Sequence, residues 1–399
     1  MFMLRNYGLA GLGMIQLVAL LHLLPVATYG KMQFVLACAA MAELLALPGA
    51  PVALLQLAAK ASTNMLGTVL RWRMLAATGG LIALLATAGY YQYRGETDLA
   101  WALAGFAMLF PLSALNCATQ ILIGQEALKT LIRFEYTVRL LQMAATLTAA
   151  MLTPDRLVLL VVPAQAIAAL AYGGLAWRWL RGGKSPDAAE KRDELRYVLK
   201  RSALAIMPMV DGRIDRVLVG SYFGPAELAI YSAARFVMEQ LKSAYMAFYN
   251  VLLPVFSRLP LDEINARLPK TMAMGVVVVV LAAGLLDGFT TLGIHLFLFD
   301  KYAAALPLVH ILLWGCATAV LGFVVQIKFT ALRLSGYEFL NSVITPLSYF
   351  ALLPLCIHAF GPIGVAYAVA IRYSLISVFL MTANAVFEHR RRRKERPDT

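Results

Sequence analysis

Apolar runs of about twenty residues follow one another along nearly the whole chain, each long enough to cross a hydrocarbon core of about 30 Å. Twelve can be delimited, starting near Tyr7, Lys31, Arg73, Asp98, Tyr136, Arg156, Val198, Ala226, Met272, Ala304, Leu340 and Pro362. The runs lack the alternation of a barrel strand, and hydrocarbon offers unpaired peptide groups no partner, so each predicts a helix. The expected fold is an all-α polytopic membrane protein with about 12 transmembrane helices. The first run is followed by eleven others and reads as a retained helix rather than a cleaved signal.

One polar stretch interrupts the pattern. Arg181-Gly-Gly-Lys-Ser-Pro-Asp187 opens a charged segment reaching about Arg201. Its glycine, proline and mixed charge suit an exposed linker, with a short surface helix over Ala188–Tyr197. This predicts a six-helix lobe at 1–180, a linker at 181–196, a second six-helix lobe at 197–389 and a basic tail at 390–399. Two matches hint that the lobes are copies. Tyr29-Gly30 before a span with Glu43 parallels Phe223-Gly224 before a span with Glu239, and Gly124-x-Glu126-x-Leu128 parallels Gly336-x-Glu338-x-Leu340. With an even number of spans per half, such copies are related by an axis along the membrane normal.

Hydrophobic residues make up 61% of the 399 positions and charged residues 14%, with a mean hydropathy of +0.72. The net charge of +13 raises the question of nucleic acid, but the distribution of the charge answers it. With both termini cytoplasmic, the outer connections hold four basic residues (Lys31, Arg94, Arg156, Lys301). Five fall inside spans (Arg213, Arg216, Arg235, Lys242, Arg372), which leaves 26 of the 35 on the cytoplasmic side. That asymmetry is the positive-inside pattern of a membrane protein, and the run Arg390-Arg-Arg-Arg-Lys394 fits it. No nucleic-acid partner is expected. Cys38, Cys117, Cys316 and Cys356 sit within spans, without paired or metal-ligand spacing, and read as small apolar residues. No phosphate-cradling glycine loop, His-Glu-x-x-His or nucleophile triad is present, so neither an enzyme nor a bound metal or cofactor is expected.

The chemistry-bearing feature is a hairpin over 200–258. Asp211, Arg213, Asp215 and Arg216 lie on its first arm, and Arg235, Glu239 and Lys242 on its second. A charge at the centre of a lipid-facing helix costs roughly 2.5–3.5 kcal/mol on insertion scales, so such residues face protein or a wet cavity. Counting from the Gly224-Pro225 turn puts Asp215 level with Arg235 and Asp211 level with Glu239. Arg235, Glu239 and Lys242 share one helical stripe. Two readings stay open. Asp215 with Arg235, and Arg213 or Arg216 with Glu239, could be salt bridges that only tie helices together. Alternatively, the arginines hold an anionic group, for which a planar guanidinium fork is suited.

Arg372, inside the last run, pairs with Asp287 or Glu43 on the first reading and binds substrate on the second. Lys242 lies near enough to a helix end to snorkel. Glu43, Asp211, Asp215, Glu239 and Asp287 are charge-pair or ion-coupling candidates, with H+ or Na+ as the coupling ion. His22, His295, His310 and His358 are scattered and read as packed or interfacial. Pro208 is a static kink or a hinge beside Asp211.

Several of these segments resemble a known family. Asp215-Arg-Val-Leu-Val-Gly-Ser-Tyr-Phe-Gly224, Leu228-Ala-Ile-Tyr231 and Leu253-Pro-Val-Phe-Ser-Arg258 are similar to the seventh and eighth helices of Wzx-type polysaccharide-export flippases. These belong to the multidrug/oligosaccharidyl-lipid/polysaccharide (MOP) superfamily. Gly361-Pro-Ile-Gly364 is similar to the opening of that family's twelfth helix. The resemblance implies a MATE-like, V-shaped pair of lobes in the bacterial inner membrane. It also implies alternating access that flips undecaprenyl-diphosphate-linked oligosaccharide for O-antigen (lipopolysaccharide), capsule or exopolysaccharide assembly. Polysaccharide polymerase and chain-length machinery would be partners, beside membrane lipids. Arg213, Arg216, Arg235 and Arg372, with Lys242, would be the cations of its cavity. The chain departs from a strongly cationic cavity in two respects: five intramembrane acids match five bases, and the first half offers no buried arginine. Rival readings are an ion-coupled drug or cation antiporter using the carboxylates, a glycan polymerase or ligase, and an assembly subunit.

Overall fold

A computed structural model describes residues 2–59, 63–181, 187–211, 213–297, 301–332 and 334–395, and contains helices and turns with no strand among the described residues. The helices are α1 (Phe2–Leu23), α2 (Val26–Ala42), α3 (Ala50–Ala59), α4 (Thr63–Tyr93), α5 (Thr97–Ser113), α6 (Thr119–Gly124), α7 (Leu128–Leu152) and α8 (Leu157–Arg181). They continue as α9 (Ala188–Asp211), α10 (Ile214–Tyr222), α11 (Pro225–Phe256), α12 (Leu261–Phe297), α13 (Leu306–Ala317), α14 (Val320–Ala331), α15 (Ser335–Phe360) and α16 (Ile363–Glu395). With α2/α3, α5/α6, α9/α10 and α13/α14 each taken as one broken rod, all twelve predicted runs have a helical counterpart in order. Seven helices among the described residues are long and apolar enough to cross a membrane, or eight when the bent α2–α3 pair counts as one span. α7, which carries Lys129, Arg133, Glu135 and Arg139, falls outside that count. The chain is a multi-pass, all-α membrane protein.

The breaks have local causes. After α2 the chain makes a 3-10 turn over Glu43–Leu45. Leu47 then adopts a left-handed φ of 52°, Pro48 withholds its N–H, and α3 leaves bent by 62°. Gly49 lets this corner sit on α9: its N–H donates to Ser202 Oγ at 2.9 Å, and a Cβ there would lie 2.7 Å from the Val198 carbonyl. Between α5 and α6, the 3-10 segment Ala114–Ala118 follows Pro111. The predicted surface helix at 188–197 continues without a break into the first part of the following span, as α9.

The chain divides into two compact units, Met1–Ala229 and Ile230–Thr399, with the boundary inside α11. The polar segment after Asp187 and all of α10 belong to the first unit. Its core packs Leu54, Leu57, Met65, Leu66, Leu70, Leu115 and Ile121 from α3, α4 and the α5–α6 rod, together with Val198 of α9. In the second unit, Leu252 and Phe256 of α11 meet Ile264 and Leu268 of α12 and Val324 and Ile327 of α14. Lipid is as apolar as leucine, so helices associate through close van der Waals packing where small residues allow it. The seam of the α13/α14 rod with α16 shows this twice, seven residues apart: Gly315 packs on Ala370, and Gly322 on Ser377.

The motifs read as repeat copies occupy different places. Tyr29-Gly30 lies in the first turn of α2, and Gly30 packs directly on the Pro225 carbonyl, so the Tyr-Gly and Gly-Pro motifs touch each other. Gly124 and Glu126 (φ 58°) form the α6–α7 turn, whereas Gly336 lies inside α15.

A Cβ at Gly30 has no room against backbone, whereas Gly11 faces open space. Gly30→Val is therefore expected to lose at least ~2 kcal/mol. The melting temperature of the detergent-purified protein should fall by several degrees for this variant and by about a degree or less for Gly11→Val.

Candidate functional site

Cations and carboxylates of the predicted hairpin fall into both units. In the first, Arg213 caps α10 at the break of the α9/α10 rod. Its Nη1 donates to Glu43 Oε2 at 2.8 Å and also to the Ala40 carbonyl near the end of α2. The guanidinium thus sits at a helix C-terminus, where backbone carbonyls lose their partners and the macrodipole favours a cation. One side chain ties the break in α2/α3 to the break in α9/α10. Asp215 is wholly buried in the first turn of α10, and its Oδ1 accepts the Arg216 N–H at 2.8 Å. Arg216 is half-buried beside it. Asp211 ends α9, and its side chain lies outside the described residues.

In the second unit, Arg235 is the largest fully buried side chain. Its Nη1 donates to the Tyr231 hydroxyl at 3.2 Å, and its Nε lies 3.5 Å from Glu239 Oε1, one turn away on either side along α11. Lys242 Nζ lies 5.2 Å from the centre of the Tyr373 ring. Arg372, also buried, places its guanidinium carbon 4.7 Å from the same ring and 5.1 Å from that of Tyr349. Two predicted basic residues, Lys242 of α11 and Arg372 of α16, thus gather around Tyr373. Ring faces attract these cations by about 0.5–2 kcal/mol each.

The two acids named as partners for Arg372 have other engagements. Glu43 holds Arg213, and Asp287 accepts from Trp314 Nε1 at 3.3 Å with His310 Nε2 3.5 Å away. His310, set aside in the sequence as packed or interfacial, belongs to a polar cluster.

Two buried cations escaped the sequence reading. Arg73 corrects the expectation that the first half holds no buried arginine: it is 4% exposed within α4. Its Nε donates to the Ala114 carbonyl at 2.6 Å, Nη1 to the Leu47 carbonyl at 3.1 Å and Nη2 to Asn116 Oδ1 at 3.4 Å. The apolar run begins near Arg73, which suggested a helix end, but α4 starts at Thr63, so Arg73 lies almost three turns inside. Lys328 is wholly buried in α14 and donates to Asn384 Oδ1 at 2.6 Å and Glu388 Oε1 at 2.7 Å of α16. It was counted among connecting-segment charges because the following turn is polar.

Two adjoining cavities of the first unit, about 370 and 310 Å³, run between α2, α4 and α10. The first is apolar, around Phe34, Met41, Leu84 and Val217; the second is polar, with Lys31, Arg94 and Glu96. Neither is lined by the buried basic residues.

The order of broken and unbroken helices is similar to that of several solved membrane proteins. An inward-facing multidrug resistance MATE family transporter of the MOP superfamily superposes with a TM-score of 0.73 at 12% identity, covering 97% of this chain and 96% of the other. The lipid II flippase MurJ, in an inward closed conformation, gives 0.73 at 12% identity over 96% and 87%. A MATE structure in the straight conformation gives 0.58 at 12% over 97% and 95%. No curated protein matches the chain by sequence. The polysaccharide biosynthesis protein family model matches residues 1–260, and the chain belongs to that family.

Arg73 serves three acceptors at two helix breaks, so Arg73→Met leaves buried carbonyls without donors. A loss of roughly 2–4 kcal/mol is expected in denaturant unfolding of the detergent-purified protein. Arg73→Lys should recover less than half, since one ammonium cannot span the fork.

Proposed function

We propose that this protein flips undecaprenyl-diphosphate-linked oligosaccharide from the cytoplasmic to the outer leaflet of the bacterial inner membrane, both termini inside, to supply surface polysaccharide such as O-antigen. The observation that carries this reading is the placement of Lys242 and Arg372 against the Tyr373 ring, with Arg235 buried on the same helix as Lys242, inside an apolar helical unit of a polysaccharide biosynthesis family member. Buried cations in a membrane protein mark a path for polar cargo. A diphosphate carries the charge that such cations bind, and guanidinium grips its oxygens two at a time. Lys242 and Arg372 rest on ring faces, an attraction that a charge-assisted bond to phosphate outweighs. Arg213, already engaged with Glu43 and the Ala40 carbonyl, has a holding role in this scheme.

The fold relatives support a mechanism of alternating access; one of them is a flippase of lipid II, another a multidrug transporter. The flipped repeat units would pass to polysaccharide polymerase and chain-length machinery. The cargo crosses unchanged, so no bond-making residues are assigned.

The test is a deletion strain, with lipid-linked oligosaccharide measured by mass spectrometry and its sidedness by an impermeant glycan-modifying reagent. Completed units trapped on the cytoplasmic face, with surface glycan lost, are expected. Complementation by Arg235→Ala or Arg372→Ala should restore roughly 1–10% of flipping, the loss of one charge-assisted contact of about 1.5–3 kcal/mol. An unchanged lipid pool with normal surface glycan overturns the reading.

A further inference from the structure

Apart from the basic cluster, the second unit carries a polar group whose atoms do not balance without an extra proton. Asp287 of α12 and His310 of α13 face each other through Oδ1 and Nε2, 3.5 Å apart. Both atoms are shielded from solvent, and neither has a hydrogen-bond partner among the described residues. The other carboxylate oxygen, Oδ2, accepts from Trp314 Nε1. The other ring nitrogen, Nδ1, faces the Leu306 carbonyl at 3.4 Å, an acceptor, so Nδ1 carries a hydrogen.

That assignment decides what Nε2 can be. A neutral imidazole with its hydrogen on Nδ1 presents a lone pair at Nε2, and an ionised Asp287 presents a lone pair at Oδ1. Two lone pairs shielded from water and facing each other repel. A single proton removes the conflict wherever it resides: as imidazolium against carboxylate, or as carboxylic acid donating to imidazole. We propose that Asp287 and His310 form a proton-binding site that bridges α12 and α13, holding one shared proton and losing the bridge when that proton leaves. The ligand is a proton rather than a metal cation. Sodium, magnesium and calcium want several oxygen ligands, whereas this pair offers one free oxygen and a nitrogen.

Among the described residues, the other charged groups on these elements are engaged elsewhere or lie further along the chain. Arg372 of α16 lies on Tyr349 and Tyr373, and Lys328 of α14 is held by Glu388. Along α12, His295 is two turns further on, and Lys270, the nearest charge in the other direction, is about 25 Å away. Lys301 and Tyr302 precede α13 by more than a turn.

Trp314 supplies the probe, because its indole N–H is bonded to the carboxylate under study. The emission of the detergent-purified full chain is titrated between pH 4 and 9, and the Trp314→Phe trace is subtracted to remove the other four tryptophans. A one-proton transition is expected in the difference signal. His310→Gln should abolish it. Asp287→Asn should move its midpoint, because the partner charge is removed. A wild-type difference signal flat over the whole range overturns the site, as does a transition that survives His310→Gln or keeps its midpoint in Asp287→Asn. Asp287→Asn preserves side-chain shape, and Trp314→Phe removes no charge, so the pair stays testable if His310→Gln folds poorly. No transport substrate enters the measurement.

Discussion

A helix that breaks inside hydrocarbon strands carbonyls that no water will reach, and each must find a donor from elsewhere in the protein. This constraint organises the first unit. Arg73 serves carbonyls at the breaks after α2 and α5, and Arg213 serves the end of α2 while capping α10. Ser202 of α9 receives the Gly49 N–H at the α2–α3 corner. In the second unit, Ser377 of α16 donates to the Thr318 carbonyl at the α13–α14 break and accepts from Gly322 N–H. Several buried polar side chains, Arg73, Ser202 and Ser377 among them, therefore sit where the backbone is irregular. The irregularities, in turn, give the rods their bends.

This sorts the intramembrane cations into two kinds. Arg73, Arg213 and Lys328 are fixed by oxygen acceptors in short hydrogen bonds, so releasing them would expose a buried carbonyl or carboxylate. Lys242 rests against the Tyr373 ring, an interaction with less directional demand than a short hydrogen bond.

Much of the architecture was legible in the chain because lipid imposes a simple rule: long apolar runs become helices, in order. The boundaries of those helices were not. Run starts at Lys31 and Arg73 misled, since an amphipathic chain end and a buried arginine look alike until the helix start at Thr63 is known. Depth-matching along the arms of the hairpin does not reveal that Arg213 turns to Glu43, 170 positions earlier. His310 was passed over because histidines were weighed for metal spacing within the sequence. Its neighbour Asp287 lies on a different helix, and proximity across helices leaves no mark in spacing.

The continuity of α9 has mechanical meaning. Its 24 residues run without interruption from the charged surface segment at Ala188 to Asp211 at the edge of the Arg213 break, a rod of about 36 Å. Its exposed and membrane-embedded parts must therefore tilt together, like a lever whose short travel is set by the Gly49 contact near its middle. A tilt of about ten degrees about that contact carries the aqueous end through roughly 4 Å. A load applied at the aqueous end would thus be felt at the Glu43–Arg213 junction as displacement, without any intervening element having to unfold.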